Sequence, residues 1–250
     1  MRKAMTMIAA VALALPLVAR TVDGSPKMTV LVSGTPRAEY VHGGTTYIEA
    51  LRGRDFTIQL RNPTAHRVAV ALSVDGLNTI DARRTDAWSA MKWVLEPWET
   101  TEIAGWQVSD RTARRFYFTG ERNSYGAALG QTQNLGIIEA VFYRESVPLY
   151  SHREHSRDRR GEAQDLESGA APRASAEAPS TAPSDDYAAT GMGRRTDHAV
   201  TEVEMALERQ PIASLSIRYE FRPQLVKLGV MFDRDPLKRR ERATGFCPER

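Results

Sequence analysis

The chain has 250 residues, of which 42% are hydrophobic and 26% are charged, a composition typical of a globular protein with one large or two small domains. Its formal net charge is +3, but the first 24 residues hold Arg2, Lys3 and Arg20 against one acid, Asp23. The rest of the chain is therefore almost neutral, which argues against nucleic acid or an acidic substrate as the partner.

Residues 1–24 have the pattern of a secretory signal peptide. A basic start precedes an apolar run at 7–18, which is short for a bilayer span but suits the hydrophobic region of such a signal. Cleavage is expected after Ala19 or after Gly24. The sequence has no second apolar run of spanning length. We therefore expect export to the periplasm or the extracellular space, with no transmembrane segment in the mature chain.

Residues 25–150 are predicted to form the body of a β-sandwich. Phe56, Ile58 and Leu60 alternate with polar residues, which is the period of a half-buried strand. The run at 68–74 alternates large with small apolar residues, which predicts a strand covered on both faces. The turn at 62–64 is expected to join these two strands as a hairpin.

Further strands are predicted in this body at 92–95, 101–108, 114–119 and 137–144, with a short helix ending near Gly130 before the last of them. Many short strands without long crossover helices favour an antiparallel, all-β sandwich with short peripheral helices over a βαβ fold.

Residues 151–197 contain no Val, Ile, Phe or Trp and are predicted to be a long disordered insertion rich in Ala, Pro and Ser. Residues 198–250 return to alternation. A C-terminal hairpin is predicted there, with strands around 203–207 and 213–221 on either side of Pro211. This hairpin is expected to complete the sandwich. Two short helices follow, one beginning near Pro223 and the other near Pro236.

Asp75 and Asn78 lie in an acidic loop, residues 75–81, after the strand at 68–74. Oxygen-bearing side chains suit calcium, but their spacing matches no calcium-loop pattern, so a turn is the favoured interpretation. If a ligand binds at this end of the sandwich, these two residues are the first candidates. His152 and His155 have a spacing seen in metal sites but enter the predicted disordered stretch. No metal site and no cofactor are predicted.

The four tryptophans fall within one stretch, at Trp88, Trp93, Trp98 and Trp106. Trp93 and Trp106 lie in strand contexts and are expected in the core. Trp98 follows Pro97 in a turn and is expected at the surface, where its ring could stack on a sugar.

No recognised catalytic motif is present. The sequence lacks the Gly-x-Ser-x-Gly motif that holds the nucleophilic serine of many hydrolases. It also lacks the His-Glu-x-x-His motif that binds a catalytic zinc ion in metalloproteases. Cys247 is the single cysteine. It is either free or bridges two chains, and a chain terminus gives a thiolate no positioned base. The chain is therefore not predicted to be an enzyme.

Six short motifs carry a resemblance to known sequences. They are Val70-Ala71-Leu72-Ser73-Val74-Asp75-Gly76-Leu77-Asn78, Gly105-Trp106, Arg115-Phe116-Tyr117-Phe118, Asn134-Leu135-Gly136-Ile137-Ile138, Arg218-Tyr219-Glu220-Phe221 and Gly245-Phe246-Cys247-Pro248. In these motifs the chain resembles a family of uncharacterised, exported bacterial β-sandwich proteins, over about half of its length. The resemblance implies the fold and an exported location, and it assigns no catalytic residue.

The sequence therefore predicts an exported, non-catalytic module for binding or for envelope structure, with a protein or a glycan at the cell envelope as its partner. Its contacts are expected to come from loops on a rigid scaffold. One alternative is a carbohydrate-binding module that uses Trp98 and loop acids. Another is a secreted hydrolase whose acidic catalytic residues meet only in the fold.

Overall fold

The computed structural model describes residues 24–146 and 186–232. The signal-like segment, most of the predicted insertion, the predicted helix near Pro236 and Cys247 lie outside these residues. In the described part of the chain, no helix is long and apolar enough to cross a membrane.

Fourteen strands and two α-helices occur in the described residues. In chain order they are β1 (Lys27–Val32), β2 (Thr35–Pro36), β3 (Glu39–His42), β4 (Thr45–Glu49), β5 (Asp55–Arg61), β6 (Val68–Val74), β7 (Leu77–Asn78), β8 (Trp93–Leu95), β9 (Thr100–Ile103), β10 (Gly105–Gln107), β11 (Thr112–Gly120), α1 (Tyr125–Ala128), β12 (Ile137–Glu145), β13 (Ala188–Asp197), β14 (Leu207–Glu220) and α2 (Arg222–Lys227).

The strands form two sheets of seven strands each. The first sheet has the order β10-β11-β5-β1-β2, with β13 paired to β11 and β9 paired to β5. The second has the order β3-β4-β14-β12-β6-β7, with β8 also paired to β6. Every described pair is antiparallel except that of β14 with β4. The sheets pack face to face around one apolar core, so the protein is the all-β sandwich that the sequence predicts.

The core follows the alternation of the strands. Phe56, Ile58 and Leu60 of β5 are buried as predicted, and β6 is buried on both faces as its small alternate residues predict. The ring of Phe56 stacks on that of Phe118 with a centroid separation of 4.2 Å. Burial of each such ring stabilises the folded state by roughly 2–3 kcal/mol. The core therefore fixes which faces of the strands remain available to solvent.

The two described α-helices lie where the sequence predicts them. Ser124 accepts a hydrogen bond from the Ala127 amide at 3.0 Å and so caps α1. Pro223 lies in the first turn of α2, and Gly229 follows that helix with a φ of +73°, a left-handed conformation that favours glycine.

The predicted hairpin of β5 and β6 is wrong, because the two strands lie in opposite sheets. The Asn62 side chain explains the difference. It is fully buried, and its Nδ2 donates to the carbonyl groups of His66 and Glu96 at 2.8 and 2.9 Å. These bonds hold the turn so that it carries the chain from the first sheet to the second, which turn residues alone do not reveal.

The predicted disordered stretch extends too far, because its last ten residues form β13. This strand is rich in Ala, Gly and Thr, so it lacks the bulky residues that signal a strand in a sequence. It pairs with β11 over most of its length. The Tyr117 ring also lies against Gly191, where a Cβ atom would be 2.3 Å from the ring. The Tyr117 side chain of β11 therefore fills the space that a larger side chain of β13 would occupy.

The predicted C-terminal hairpin is also wrong, because Leu207–Glu220 is one strand that runs through Pro211. Pro211 pairs with Tyr143 next to an irregularity in the register of β12 and β14. A proline is tolerated at such a point because the regular ladder is already interrupted there. β14 enters the second sheet between β12 and β4.

Candidate functional site

Asp75 lies inside the protein, at the end of β6. It is fully buried, and its backbone has a φ of +54° next to Gly76 at +72°, which is the two-residue turn that the sequence favours. Its Oδ1 accepts from the Gly136 amide at 2.8 Å and its Oδ2 accepts from the Thr190 amide at 2.7 Å. Both oxygens are thus occupied by the protein's own backbone.

Tyr219 completes this buried polar cluster. Its hydroxyl donates to Asp75 Oδ1 at 2.5 Å and lies 2.7 Å from Thr190 Oγ1. Burial raises the pKa of Asp75 from 3.8 to about 6, although the hydrogen bonds to Tyr219, Thr190 and Gly136 oppose the rise. Burial also raises the pKa of Tyr219 well above its usual value, so its hydroxyl stays protonated. The cluster joins three separate chain segments.

Asn78 is also internal. It is 4% exposed, its Nδ2 donates to the Met91 carbonyl at 2.8 Å and its Oδ1 accepts from the Ile80 amide at 2.8 Å. These bonds hold the loop that follows β7. The structure therefore gives Asp75 and Asn78 structural partners, while their proposed role toward a ligand stays a prediction.

Trp98 lies at the surface, as predicted. Its side chain is 62% exposed and its φ is +63°, an uncommon conformation for a residue other than glycine. The Trp98 amide donates to the Thr64 carbonyl at 3.1 Å, on the loop before β6, whereas Asp75 follows β6. A seven-residue strand of about 20 Å therefore separates the two candidate sites.

Of the other tryptophans, Trp106 is in the core as predicted, with 2% exposure. Trp93 is only partly buried and packs against the edge of the core. Its Nε1 donates to Thr79 Oγ1 at 2.9 Å, and its ring lies 5.5 Å from that of His198.

An open cleft of about 850 Å³ lies beside Trp93. Its walls come from β8 of the second sheet, from β9 and β10 of the first, and from the segment 198–206 that joins β13 to β14. We call it the apolar cleft, because three large apolar side chains of the described residues are exposed along it. They are Met91, Val108 and Val203, which are 44%, 48% and 48% exposed.

The walls of the apolar cleft are tied to each other by polar contacts. Gln107 Oε1 lies 2.8 Å from His198 Nδ1, and Gln107 Nε2 donates to the His198 carbonyl at 2.9 Å. Burial lowers the pKa of His198, so the imidazole is neutral at pH 7. The segment that forms one wall is thereby held against β10.

The rim of the apolar cleft carries both signs of charge: Arg67 and Lys92 against Glu96, Asp110 and Glu202. Lys92 Nζ donates to the Ala90 carbonyl at 2.8 Å and lies 5.3 Å from the centre of the Tyr143 ring. Partial burial lowers its pKa. A lining that combines exposed apolar side chains with charges of both signs suits a polypeptide better than a polyanion.

Among the described residues, burial raises the pKa of two carboxyl groups, those of Asp75 and Glu220. Glu220 Oε2 accepts from the Ala188 amide at 3.1 Å, so both carboxyl groups are bonded to backbone, and neither lines the apolar cleft. Within residues 24–146 and 186–232, no group of three or more His, Cys, Asp or Glu side chains is placed to hold a metal ion.

Sequence reasoning missed the apolar cleft, since its lining residues are separated by more than a hundred positions and no local pattern marks them. The comparisons with known proteins add no assignment. No family model matches the chain, and neither a curated protein nor a solved structure matches it. The resemblance to exported β-sandwich proteins therefore stays a prediction.

Proposed function

We propose that this protein is an exported, non-catalytic β-sandwich module that binds a segment of another polypeptide chain in the apolar cleft. The observation that carries the proposal is the exposure of Met91, Val108 and Val203 along one cleft. Large apolar side chains that are exposed to water within one cleft are unfavourable in the free protein, and such surfaces mark binding sites. Export is supported by the basic start and the apolar run of residues 1–24.

The chemistry of the cleft supports a polypeptide as the ligand. Apolar side chains of a peptide would cover the exposed valines, and its backbone and charged groups would meet the rim, where Lys92 and Glu202 supply opposite charges. A sugar is less well matched here, because Trp93 is partly buried and its Nε1 is already bonded to Thr79.

Selection from a library of random linear peptides tests this proposal. We expect the purified protein to enrich peptides with clustered apolar residues. Val203→Asp should weaken their binding at least about tenfold, because a charge replaces an apolar contact. Val41→Asp is the matched control, since Val41 is 76% exposed on β3, outside the cleft. The proposal fails if no peptide is enriched, or if the two variants weaken binding equally.

A second candidate function, carbohydrate binding at Trp98, is favoured by one observation. The exposed ring of Trp98 lies on a loop that the buried Asn62 side chain holds through the Glu96 carbonyl. A rigid, exposed aromatic ring is suited to stacking, because little side-chain entropy is lost on binding.

A glycan panel distinguishes this second candidate. If the protein binds an oligosaccharide through Trp98, Trp98→Ala should weaken binding at least about tenfold, whereas Trp98→Phe, which keeps a ring, should change it by a few fold only. Absence of glycan binding, or binding that Trp98→Ala leaves unchanged, rejects the candidate.

A further inference from the structure

A second cleft, of about 630 Å³, lies along the first sheet and differs in chemistry from the apolar cleft. We call it the arginine cleft, because Arg54, Arg115 and Arg194 line it. They come from the segment before β5, from β11 and from β13, respectively. Within the described part of the chain, no charged residue lines both clefts, so the arginine cleft is a separate site from the proposed peptide site.

Asp55 lies among the three arginines. Its Oδ2 is 3.4 Å from Arg194 Nη2 and 3.9 Å from Arg115 Nη1. Arg54 Nη2 donates to Ser33 Oγ at 3.3 Å. One carboxylate is therefore shared by two guanidinium groups, at distances that are long for an ion pair. Each guanidinium carries five N–H donors, which is more than these contacts use.

A β-bulge brings Arg194 to this position. Arg114 pairs with Arg195 and Phe116 pairs with Met192, so Gly193 and Arg194 together oppose the single residue Arg115. A Cβ atom at Gly193 would lie 2.9 Å from the Arg115 carbonyl oxygen, so the bulge requires glycine. Bulges redirect side chains, and here the redirected side chain reaches Asp55.

Among the described residues, the formal charge of the lining of this cleft is +1. Its three arginines face two acids, Asp55 and Glu102, and Glu102 is occupied by other partners. The Glu102 carboxylate accepts from Gln59 Nε2 at 3.3 Å and from Thr57 Oγ1 at 3.4 Å. Counted over the described residues, the arginine side has unmatched donors and unmatched charge. It attracts an oxyanion, because the guanidinium fork matches the planar geometry of a carboxylate or phosphate.

We propose that the arginine cleft binds a sugar-sized ligand through an oxyanion, a phosphate ester or a carboxylate, bound by the guanidinium donors of Arg115 and Arg194 that Asp55 leaves unused. The volume of the cleft is in the range of small-molecule sites. Its lining includes Gly34 and Gly53, which have no side chain, so the ligand can approach the backbone. The rest of the ligand meets the hydroxyl groups of Ser33 and Thr57.

Isothermal titration with three sugars tests this proposal: glucose 1-phosphate, glucuronate and, as the neutral control, glucose. We expect at least one of the two anions to bind and glucose not to bind, and the anion that binds identifies the group. Arg194→Ala should weaken binding at least about tenfold. Arg122→Ala is the matched control, since it removes an exposed arginine outside the cleft and should leave affinity unchanged.

Asp55→Asn should change the affinity for the anion in the direction opposite to Arg194→Ala. Removing this carboxylate frees Arg115 and Arg194 and removes a repulsive charge, so anion binding should tighten. The proposal is overturned if neither anion binds up to about 10 mM, if glucose binds as tightly as its anionic relatives, or if Arg122→Ala weakens binding as much as Arg194→Ala. Thermal melts of the variants establish that each is folded.

Discussion

Asp75 keeps its carboxyl group in the interior, where burial raises its pKa to about 6. The folded protein therefore holds this proton more tightly than the unfolded chain, whose ordinary pKa is 3.8. The stabilisation from the protonated form is complete below about pH 4. It is lost as the pH rises to about 6, and the loss amounts to roughly 3 kcal/mol.

The pH dependence of stability tests this assignment at the scale of one residue. We expect the free energy of unfolding of the wild type, relative to that of Asp75→Asn, to fall by about 3 kcal/mol between pH 4 and pH 7. Urea denaturation at several pH values measures it. Burial also raises the pKa of Glu220. Because Glu220 is present in both proteins, its contribution cancels when one free energy of unfolding is subtracted from the other. A difference that is constant with pH would show that Asp75 titrates normally in the folded state.

The predicted strand at 101–108 is divided into β9 and β10 because it changes partners. β9 pairs with β5, β10 pairs with β11, and the Phe116 amide donates to the Ala104 carbonyl between them. Gly105 lies where the backbones come closest, since a Cβ atom there would be 2.1 Å from the Arg114 carbonyl oxygen. The glycine thus allows the chain to change its pairing partner from β5 to β11 within a few residues.

Gly105→Ala tests this strand switch. We expect it to destabilise the protein by more than about 2 kcal/mol, because the clash is with backbone and no side chain can move aside. Thr100→Ala is the control, because Thr100 is exposed on the neighbouring strand β9, and its effect should stay within about 0.5 kcal/mol. Thermal or urea unfolding measures both. Equal effects would contradict the close approach at Gly105.

At the scale of the whole molecule, the two proposed sites use different parts of the sandwich. The apolar cleft lies where β8 of the second sheet meets β9 and β10 of the first, whereas the arginine cleft is lined by residues of the first sheet and its loops. The bulge at Gly193 lies in β13, and the segment 198–206 follows directly from β13 and leads to β14. One stretch of sequence therefore shapes both clefts.

The sequence by itself determined the fold class, most strands of the body, both described helix ends, the turn at Asp75 and the exposure of Trp98. These features depend on local physics, namely the period of burial, the backbone preferences of glycine and proline, and capping hydrogen bonds. The partners of the strands are not local. Neither the separation of β5 from β6 nor the continuity of β14 through Pro211 follows from residues near those strands.

Only the tertiary structure decided the environment of each polar residue. It buried Asp75 and Asn78, which the sequence could place only in a loop, and it brought Arg54, Arg115 and Arg194 into one cleft across 140 positions. A side chain's pKa and its access to a ligand depend on the atoms packed around it. Those atoms come from distant strands, so the clefts and their chemistry appear only when the two sheets are assembled.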